Sequence, residues 1–258
     1  MDCGDESRRA AEALVNSSHS IAFTGAGVST ESGIPDFRGP NGLWRRFDPR
    51  MASVEYFLDD PRGFWAFYSA RFKFMLSAKP NAAHFALAEL ERMGLIKAVI
   101  TQNVDGLHSA AGSVKVIEIH GSSRTVRCSR CGARASFEDA LRLYEETSEP
   151  PRCSCGGIYR PDVVLFGEPV VRLGEALDEA RRSDLVLVVG SSLTVHPAAE
   201  IPLLVKERGG SLLIINMEPT EYDDLADVVI HCPAGKALES VLRKSKEIIE
   251  SRRRPGEH

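Results

Sequence analysis

Residues 25–39 read GAGVSTESGIPDFRG, and they begin where the β-branched and aromatic run SIAFT (residues 20–24) stops. A buried strand emptying into a glycine-rich turn is the opening of a dinucleotide-binding α/β unit. Gly25 and Gly27 can take dihedrals other residues avoid and let the backbone approach a pyrophosphate. The match to that fingerprint is incomplete, because the third glycine would fall at Thr30 and no acidic residue follows at the expected strand end. On the turn alone, an ordinary strand-to-loop connection is an equally good reading. The stretch also continues into a second Gly-Ile-Pro turn ending in Asp36, Phe37 and Arg38, which is more varied than phosphate binding requires.

Working outward, strand-like runs recur at 97–101 (KAVIT), 114–119 (VKVIEI), 184–190, 211–216 (SLLIIN) and 227–231. Helical patterns alternate with them at 81–94, where Asn81 is the N-cap and Gly94 follows the end, and at 172–183 and 236–250. Strands alternating with helices predict an α/β fold with a parallel, Rossmann-like sheet. Two segments break the alternation, and neither reads as sheet. Residues 43–76, rich in aromatics and Arg, read as irregular and then helical. Residues 124–160 carry four cysteines and one short helix around 137–146. The expected organisation is therefore a large domain (1–42, 77–123 and 161–258) with an inserted small domain, made of a helical module (43–76) and a zinc-binding module (124–160).

The bulk properties set limits. A chain of 258 residues that is 43% hydrophobic and 26% charged buries a sizeable core as a soluble globular protein. Its longest apolar runs, such as LVLVVG at 185–190, are too short to cross a bilayer. The N-terminus lacks a hydrophobic signal core, so a cytoplasmic location is expected. A net charge of −4 argues against a dedicated nucleic-acid binder, and SRRR near the C-terminus reads as a solvated tail. In a cytosolic chain a disulfide framework is not expected, so Cys3 and Cys232 read as reduced thiols with no role.

Chemistry concentrates at strand ends. The run ITQNVDGLHSAAG (100–112) delivers Gln102, Asn103 and Asp105 to a carboxyl edge, where open α/β sheets bind ligands and where three close polar groups can hold a ribose and a carboxamide. One strand later His120 stands at a corresponding edge, placed to act as a general base. Asn216 and Glu218 end another strand and can meet an adenosine ribose, although a polar strand terminus is the bland alternative. The cysteines are the stronger signal. Cys128 and Cys131 form CxxC, and after 21 residues Cys153 and Cys155 form CxC, a spacing suited to tetrahedral zinc. Four thiolates close the ion to water, which makes its role structural.

Taken in order, GAGVSTESGIPDFRG, TQNVDGLH, His120-Gly121, the cysteine quartet, RPDVVLFGE, GSSLTVHPAAE and INMEPT give a chain that resembles the sirtuin (Sir2) family of NAD-dependent protein deacylases over nearly its whole length. The resemblance implies NAD and an acylated lysine of a protein substrate meeting in a cleft between two lobes, with release of nicotinamide, O-acyl-ADP-ribose and free lysine. It implies that Gly25, Ala26, Gly27 and Ser29 cradle phosphates. Ile34, Asp36, Phe37, Arg38 and Trp44 would cover the nicotinamide side, Phe37 shielding the reactive ribose carbon from water. By the same resemblance Asn103 holds the ribose and an ordered water, Asp105 the carboxamide, and Gln102 and Val104 flank them. His120 is the base. Gly190, Ser191, Ser192, Asn216, Met217, Glu218 and Gly235 would contact the adenosine half. Val164, Phe166 and Gly167 would bind the substrate, the extended runs VVLF and SSLTV pairing with its backbone.

The acyl group is addressed by Tyr68 and Arg71, which share one helix face. Counted back from Pro80-Asn81, they match the pair that binds succinyl or malonyl carboxylates in one branch of the family, and Ala52 falls where that branch makes room. The bland reading is that Tyr and Arg pack and snorkel. Other parts of the region resemble acetyl-specific members, so deacetylation is expected alongside desuccinylation or demalonylation. Departures from the family pattern are the CxC knuckle, GSS for the commoner Gly-Thr-Ser, and CPAGKA around Gly235. Two other function classes compete: a protein ADP-ribosyltransferase using the same NAD pocket, and a zinc-knuckle module reading chromatin or DNA. The acidic residues Glu138, Asp139, Glu145, Glu146 and Glu149 weigh against the second. No membrane partner and no direct nucleic-acid partner are expected.

Overall fold

In the computed structural model, which describes residues 3–40 and 42–253, SIAFT becomes the fully buried strand β1 (Ser20–Thr24). Along the chain follow β2 (Ala98–Thr101), β3 (Val116–Glu118), β4 (Gly121–Cys128), β5 (Arg134–Ser136) and β6 (Tyr159–Val163). Then come β7 (Leu185–Val189), β8 (Ser211–Ile215) and β9 (Val228–Ile230). The helices begin with α1 (Gly4–Asn16), α2 (Val54–Asp59), α3 (Pro61–Ser77), α4 (Ala82–Arg92) and α5 (Leu107–Ala110). After them come α6 (Phe137–Thr147), α7 (Leu173–Arg182), α8 (Glu200–Glu207) and α9 (Ala234–Arg253).

Six strands form one all-parallel sheet in the order β3-β2-β1-β7-β8-β9, and these are the six apolar runs read from the sequence. Every residue of β1, β2 and β7 is buried, as a parallel sheet covered on both faces demands. One face is covered by α1, α4 and α9, packing Leu14, Leu87, Leu90 and Val241 against Ala22 and Val99. The opposite face carries α7 and α8, packing Ala176, Ala180 and Ile201 against Ile21, Phe23 and Ile100. The chain leaves β1 towards β2 on one side and returns to β7 on the other, so the order reverses between β1 and β7. That is the topological switch point, where such sheets open a ligand crevice.

A third core lies apart from the large sheet. Phe64, Trp65 and Phe72 of α3 meet Phe137 of α6, with ring centroids 4.5 Å apart for Phe72–Phe137 and 6.0 Å for Trp65–Phe137. The Trp65 indole N–H donates to the Tyr159 carbonyl at 2.7 Å. Each fully buried large side chain here contributes about 1.5–3 kcal/mol by area. Helices α3 and α6 are thus joined by a shared aromatic core.

Four expectations change. Residues 124–160 do contain sheet: β4 lies between β5 and β6 in an antiparallel three-stranded sheet. Its strands are short and rich in Ser and Arg, with only Ser123, Val126 and Cys128 of β4 buried, so no apolar run announces them. Helix α1 was not anticipated, although Ser7, Ala10, Ala11 and Leu14 give it a narrow buried stripe against α9. The SRRR run is exposed, as expected, but is helical rather than a tail: Ser251, Arg252 and Arg253 end α9, and Arg252 donates to Asn16 Oδ1 at 2.8 Å; Arg254 lies outside the described residues. Finally, Cys3 and Cys232 are not reduced thiols but a disulfide across a sequence separation of 229. The cytosolic prior concerns compartments; it does not say which thiols the fold brings together, and here the packing of α1 on α9 does so. Loop-closure entropy gives such a crosslink a stabilisation on the order of 5 kcal/mol. No described helix is long and apolar enough to cross a membrane.

Candidate active site

At the switch point the loops after β1 and β7 cross at backbone contact. The Gly25 N–H donates to the Val189 carbonyl at 3.1 Å, and the Gly27 N–H donates to the Gly190 carbonyl at 2.8 Å. A methyl group on Gly27 would lie 2.8 Å from Gly190 Cα, and Gly190 itself has φ +61°. No side chain fits between these segments. The bare backbone therefore faces a cavity of about 840 Å³, a size typical of cofactor sites.

The cavity gathers the residues singled out in the sequence. Gly25, Ala26, Gly27 and Ser29 line it from the glycine loop, and Ile34, Asp36, Phe37, Arg38 and Trp44 from the segment beyond. Gln102, Asn103, Val104 and Asp105 come from the β2 edge, His120 from beyond β3, and Gly190, Ser191 and Ser192 from beyond β7. Asn216, Met217 and Glu218 follow β8, while Tyr68, Arg71, Val164, Phe166 and Gly167 close the other side. Gly235 is different. It stands outside the lining, its N–H donates to Glu31 Oε1 at 2.9 Å, and it sits in the first turn of α9. Glu31, His196, Cys232, Pro233 and Ala234 line the cavity without having been nominated.

Beneath the polar edge runs a connected chain of hydrogen bonds. The backbone N–H of Asn81 donates to His84 Nδ1 (3.3 Å), so the proton of His84 sits on Nε2, 3.5 Å from Ser29 Oγ. Ser29 donates to Asp105 Oδ2 at 2.8 Å and accepts from Asn103 Nδ2 at 3.0 Å. Asn103 Nδ2 also donates to the Gly25 carbonyl at 3.1 Å, and Asp105 Oδ1 accepts from Leu107 N–H at 2.9 Å. A second branch joins His108 Nε2 to Thr24 Oγ1 (2.9 Å), whose hydroxyl donates to Thr101 Oγ1 (2.8 Å). Because that hydroxyl proton is committed, His108 must donate through Nε2, which leaves its buried Nδ1 without a partner. Burial lowers the pKa of His84 to about 4 and that of His108 to about 3, so both rings are neutral. The sequence reading missed both, although Asn81 and His84 stand at capping-box spacing.

His120 is held differently. Its Nδ1 lies 3.0 Å from the Gln102 carbonyl, which can only accept, so Nδ1 carries the proton and Nε2 keeps a lone pair. Burial lowers its pKa, partly countered by that hydrogen bond, so the ring is a neutral base at physiological pH. Gln102 Nε2 in turn donates to Ser191 Oγ at 2.8 Å, tying the β2 edge to the β7 loop.

The outer wall is aromatic. Phe37 and Trp44 have ring centroids 5.2 Å apart, and Trp44 and Phe166 6.1 Å. The Arg71 guanidinium lies 4.6 Å from the Phe37 ring centroid. The expected extended runs are not strands: β6 stops at Val163, and residues 191–195 form a loop in which Leu193 has φ +57°. Phe166 already pairs through both backbone groups, its N–H with the Ala52 carbonyl (3.0 Å) and its carbonyl with Val54 N–H (3.1 Å). A peptide backbone therefore cannot pair with Phe166.

The four cysteine sulfurs lie within 4.8 Å of one another, with Cys128–Cys155 at 3.5 Å and Cys131–Cys153 at 3.7 Å. Zinc–sulfur bonds of about 2.3 Å in a tetrahedron require sulfurs about 3.8 Å apart, so the quartet fits one zinc ion. The tight CxC knuckle is accommodated by Gly157, where a methyl group would lie 2.6 Å from Cys128 Sγ. None of the four lines the cavity.

A family model described as the Sir2 family matches residues 25–197. Among curated proteins, the NAD-dependent protein deacetylase of Caldivirga maquilingensis is 61% identical over 249 residues, spanning 96% of this chain and 97% of the relative. The NAD-dependent protein deacylase of Thermococcus kodakarensis is 49% identical over 253 residues, spanning 96% and 98%. A solved complex of Sir2 with a p53 peptide and NAD+ superimposes with a TM-score of 0.87 at 40% identity, covering 93% of this chain and 98% of that one.

Stripping zinc with a chelator is expected to melt β4–β6 while the parallel sheet persists, seen as a separate low-temperature transition; unchanged melting after verified zinc loss would refute the structural role. The buried histidines give a pH expectation. Their folded pKa values lie below the ordinary imidazole value of 6.5, so the unfolded chain binds more protons and stability rises with pH through that window. Melting temperature should fall as pH drops from 6.5 towards 4, and His108→Gln should flatten that limb. An identical slope in the variant would show that His108 does not titrate there.

Proposed function

The chain belongs to the Sir2 family, and we infer that it is an NAD-dependent protein lysine deacylase whose working residues line the switch-point cavity. It releases nicotinamide, O-acyl-ADP-ribose and the free lysine. The cleft lies between the unit of residues 1–42, 77–123 and 161–258 and the unit carrying modules 43–76 and 124–160. Bound NAD supplies an electrophilic ribose carbon with nicotinamide as leaving group. The protein does the rest.

The observation that carries this reading is the fixed tautomer of His120. With Nδ1 committed to the Gln102 carbonyl, Nε2 is the nitrogen available to take a proton from a ribose hydroxyl. Asn103 is positioned through Nδ2, which leaves Oδ1 for a substrate hydroxyl or water. Asp105 is oriented by Ser29 and Leu107 and would hold the carboxamide. The backbone of Gly25, Ala26 and Gly27 approaches the phosphates where no side chain intervenes. Phe37, Trp44 and Phe166 form an aromatic wall that would exclude water from the reacting carbon.

Tyr68 and Arg71 suit an acyl chain ending in a carboxylate, as in malonyl- or succinyl-lysine. Burial raises the Tyr68 pKa to about 12, so the phenol stays a donor. Burial lowers the pKa of Arg71, partly opposed by the charges of Tyr68 and Asp105; the guanidinium remains charged, and among the described residues no carboxylate forms an ion pair with it. A half-buried cation compensated only by an aromatic face is costly, and a ligand carboxylate lowers that cost where an acetyl group cannot. Within residues 124–160, five of the seven arginines (Arg124, Arg127, Arg134, Arg142 and Arg160) pair with acidic side chains, while Arg130 and Arg152 donate to the Cys155 and Gly156 carbonyls, which supports a protein substrate over nucleic acid.

His120→Ala is expected to keep NAD affinity and lower kcat by about 10²–10⁴-fold, the usual worth of a general base. Turnover at the wild-type rate would remove His120 from its role. Arg71→Met is expected to lower kcat/KM on a succinyl-lysine peptide by roughly 10–100-fold, the scale of a lost charged hydrogen bond, while deacetylation changes little. Equal losses on both peptides would mean that the pair only packs. Mass spectrometry of the products checks the activity itself: an ADP-ribosylated acceptor in place of O-acyl-ADP-ribose would mark a transferase.

A further inference from the structure

The disulfide and the cavity share a residue. Cys232 is 2% exposed, lies between β9 and α9, and lines the cavity together with Pro233 and Ala234. Its partner Cys3 is the N-cap of α1 and does not reach the cavity. We propose that the Cys3–Cys232 disulfide is a positioning element of the dinucleotide site, holding the 232–234 wall in its binding shape. The inference rests on the NAD assignment above.

What else holds this wall is limited. Pro233 has no N–H, and Cys232 N–H reaches only the nearby Ile230 carbonyl at 3.2 Å. Apart from the start of α9, where Ala237 N–H donates to the Pro233 carbonyl at 3.0 Å, no hydrogen bond among the described residues ties Cys232, Pro233 or Ala234 to another element of the fold. The ties stand on either side. His231 Nδ1 donates to the Asn216 carbonyl at 2.9 Å, and Gly235 N–H donates to Glu31 Oε1 at 2.9 Å. The covalent bond is the lateral anchor for the three residues between them.

That anchor is itself rigid. Ala10, Ala11 and Leu14 of α1 are fully buried, Arg9 Nη2 donates to the Asp227 carbonyl at 2.8 Å, and Arg252 on α9 donates to Asn16 at 2.8 Å. Cys3 therefore hangs from a helix fixed at several points. On the other side, Glu31 belongs to the 3₁₀ turn Ala26–Ser32 that carries the glycine loop. The 232–235 segment thus links the crosslinked helix pair to the loop that approaches the phosphates. With the bond intact, the wall is ordered before ligand arrives. Without it, ordering those residues is charged to binding. His120 is fixed through the Gln102 carbonyl, and the loop end that holds Asn103 through Gly25 and Ser29 is itself pinned by the Gly25–Val189 and Gly27–Gly190 hydrogen bonds, so the chemical step should not sense the change.

The test compares oxidised wild type with Cys3→Ser, which deletes the crosslink and leaves the cavity lining intact. ADP-ribose affinity is measured by titration calorimetry well below both melting temperatures, beside steady-state kinetics. The Kd for ADP-ribose and the KM for NAD should both rise roughly two- to tenfold, the cost of ordering one or two more side chains, with kcat and the KM for peptide unchanged. A lower melting temperature with unaltered Kd would overturn the proposal, because the bond would then be a staple only. Should Cys3→Ser fold poorly, wild type reduced by a phosphine, with thiols counted and zinc content verified, gives the same comparison and the same two outcomes. Oxidised wild type that bound no ADP-ribose would instead overturn the NAD assignment on which the proposal rests.

Discussion

The contact between Gly27 and Gly190 is the constraint on which the site depends. Two loops leave adjacent parallel strands at the switch point and meet through a backbone hydrogen bond of 2.8 Å, with no room for a side chain on either. The contact does two things. It seals the end of the sheet, and it presents bare peptide groups to the cavity, where a pyrophosphate can approach them. A single methyl group there would push the loops apart and disturb the register that brings Gln102 and Ser191 within 2.8 Å.

Immediately below lies a polar layer that a hydrophobic core would not tolerate unless its donors and acceptors were matched. The chain from Asn81 through His84 and Ser29 to Asp105 is matched almost throughout, and its order is dictated at one end by a helix cap. Because the backbone N–H at Asn81 takes His84 Nδ1, each later proton has one place to go. The strand edge carrying Asn103 and Asp105 inherits its orientation from the start of α4. Only His108 Nδ1 breaks the matching, and burial keeps that ring neutral.

Legibility from sequence followed the physics of each part. The six parallel strands were readable because strands covered on both faces are continuous apolar runs. Strands β4–β6 were not, since a small sheet around a metal knuckle is held by Cys ligation and ion pairs such as Arg134–Asp162, leaving Ser and Arg on its strands. The polar residues at strand ends all reached the cavity because parallel topology sends carboxyl edges to one side. Gly235 did not, as its N–H belongs to Glu31, 204 residues away in sequence. The Cys3–Cys232 bond and the His84–Ser29 contact are of the same kind. Each joins residues whose proximity is a product of topology, which spacing along the chain does not encode.

Selectivity for the acyl group has a different physical origin from dinucleotide binding. The dinucleotide end is built from backbone and neutral amides, which suit any ligand of the right shape and charge. The acyl end places one guanidinium against the face of Phe37, 4.6 Å from its centroid, in a wall that is otherwise aromatic. An aromatic face compensates a desolvated cation only in part. The proposed acyl preference follows from that incomplete compensation: a ligand carboxylate would add to it where an acetyl methyl would not. Under the proposed function, the ring that would shield the reacting carbon is also the one that faces the Arg71 guanidinium. In that reading water exclusion and acyl choice would be coupled through Phe37.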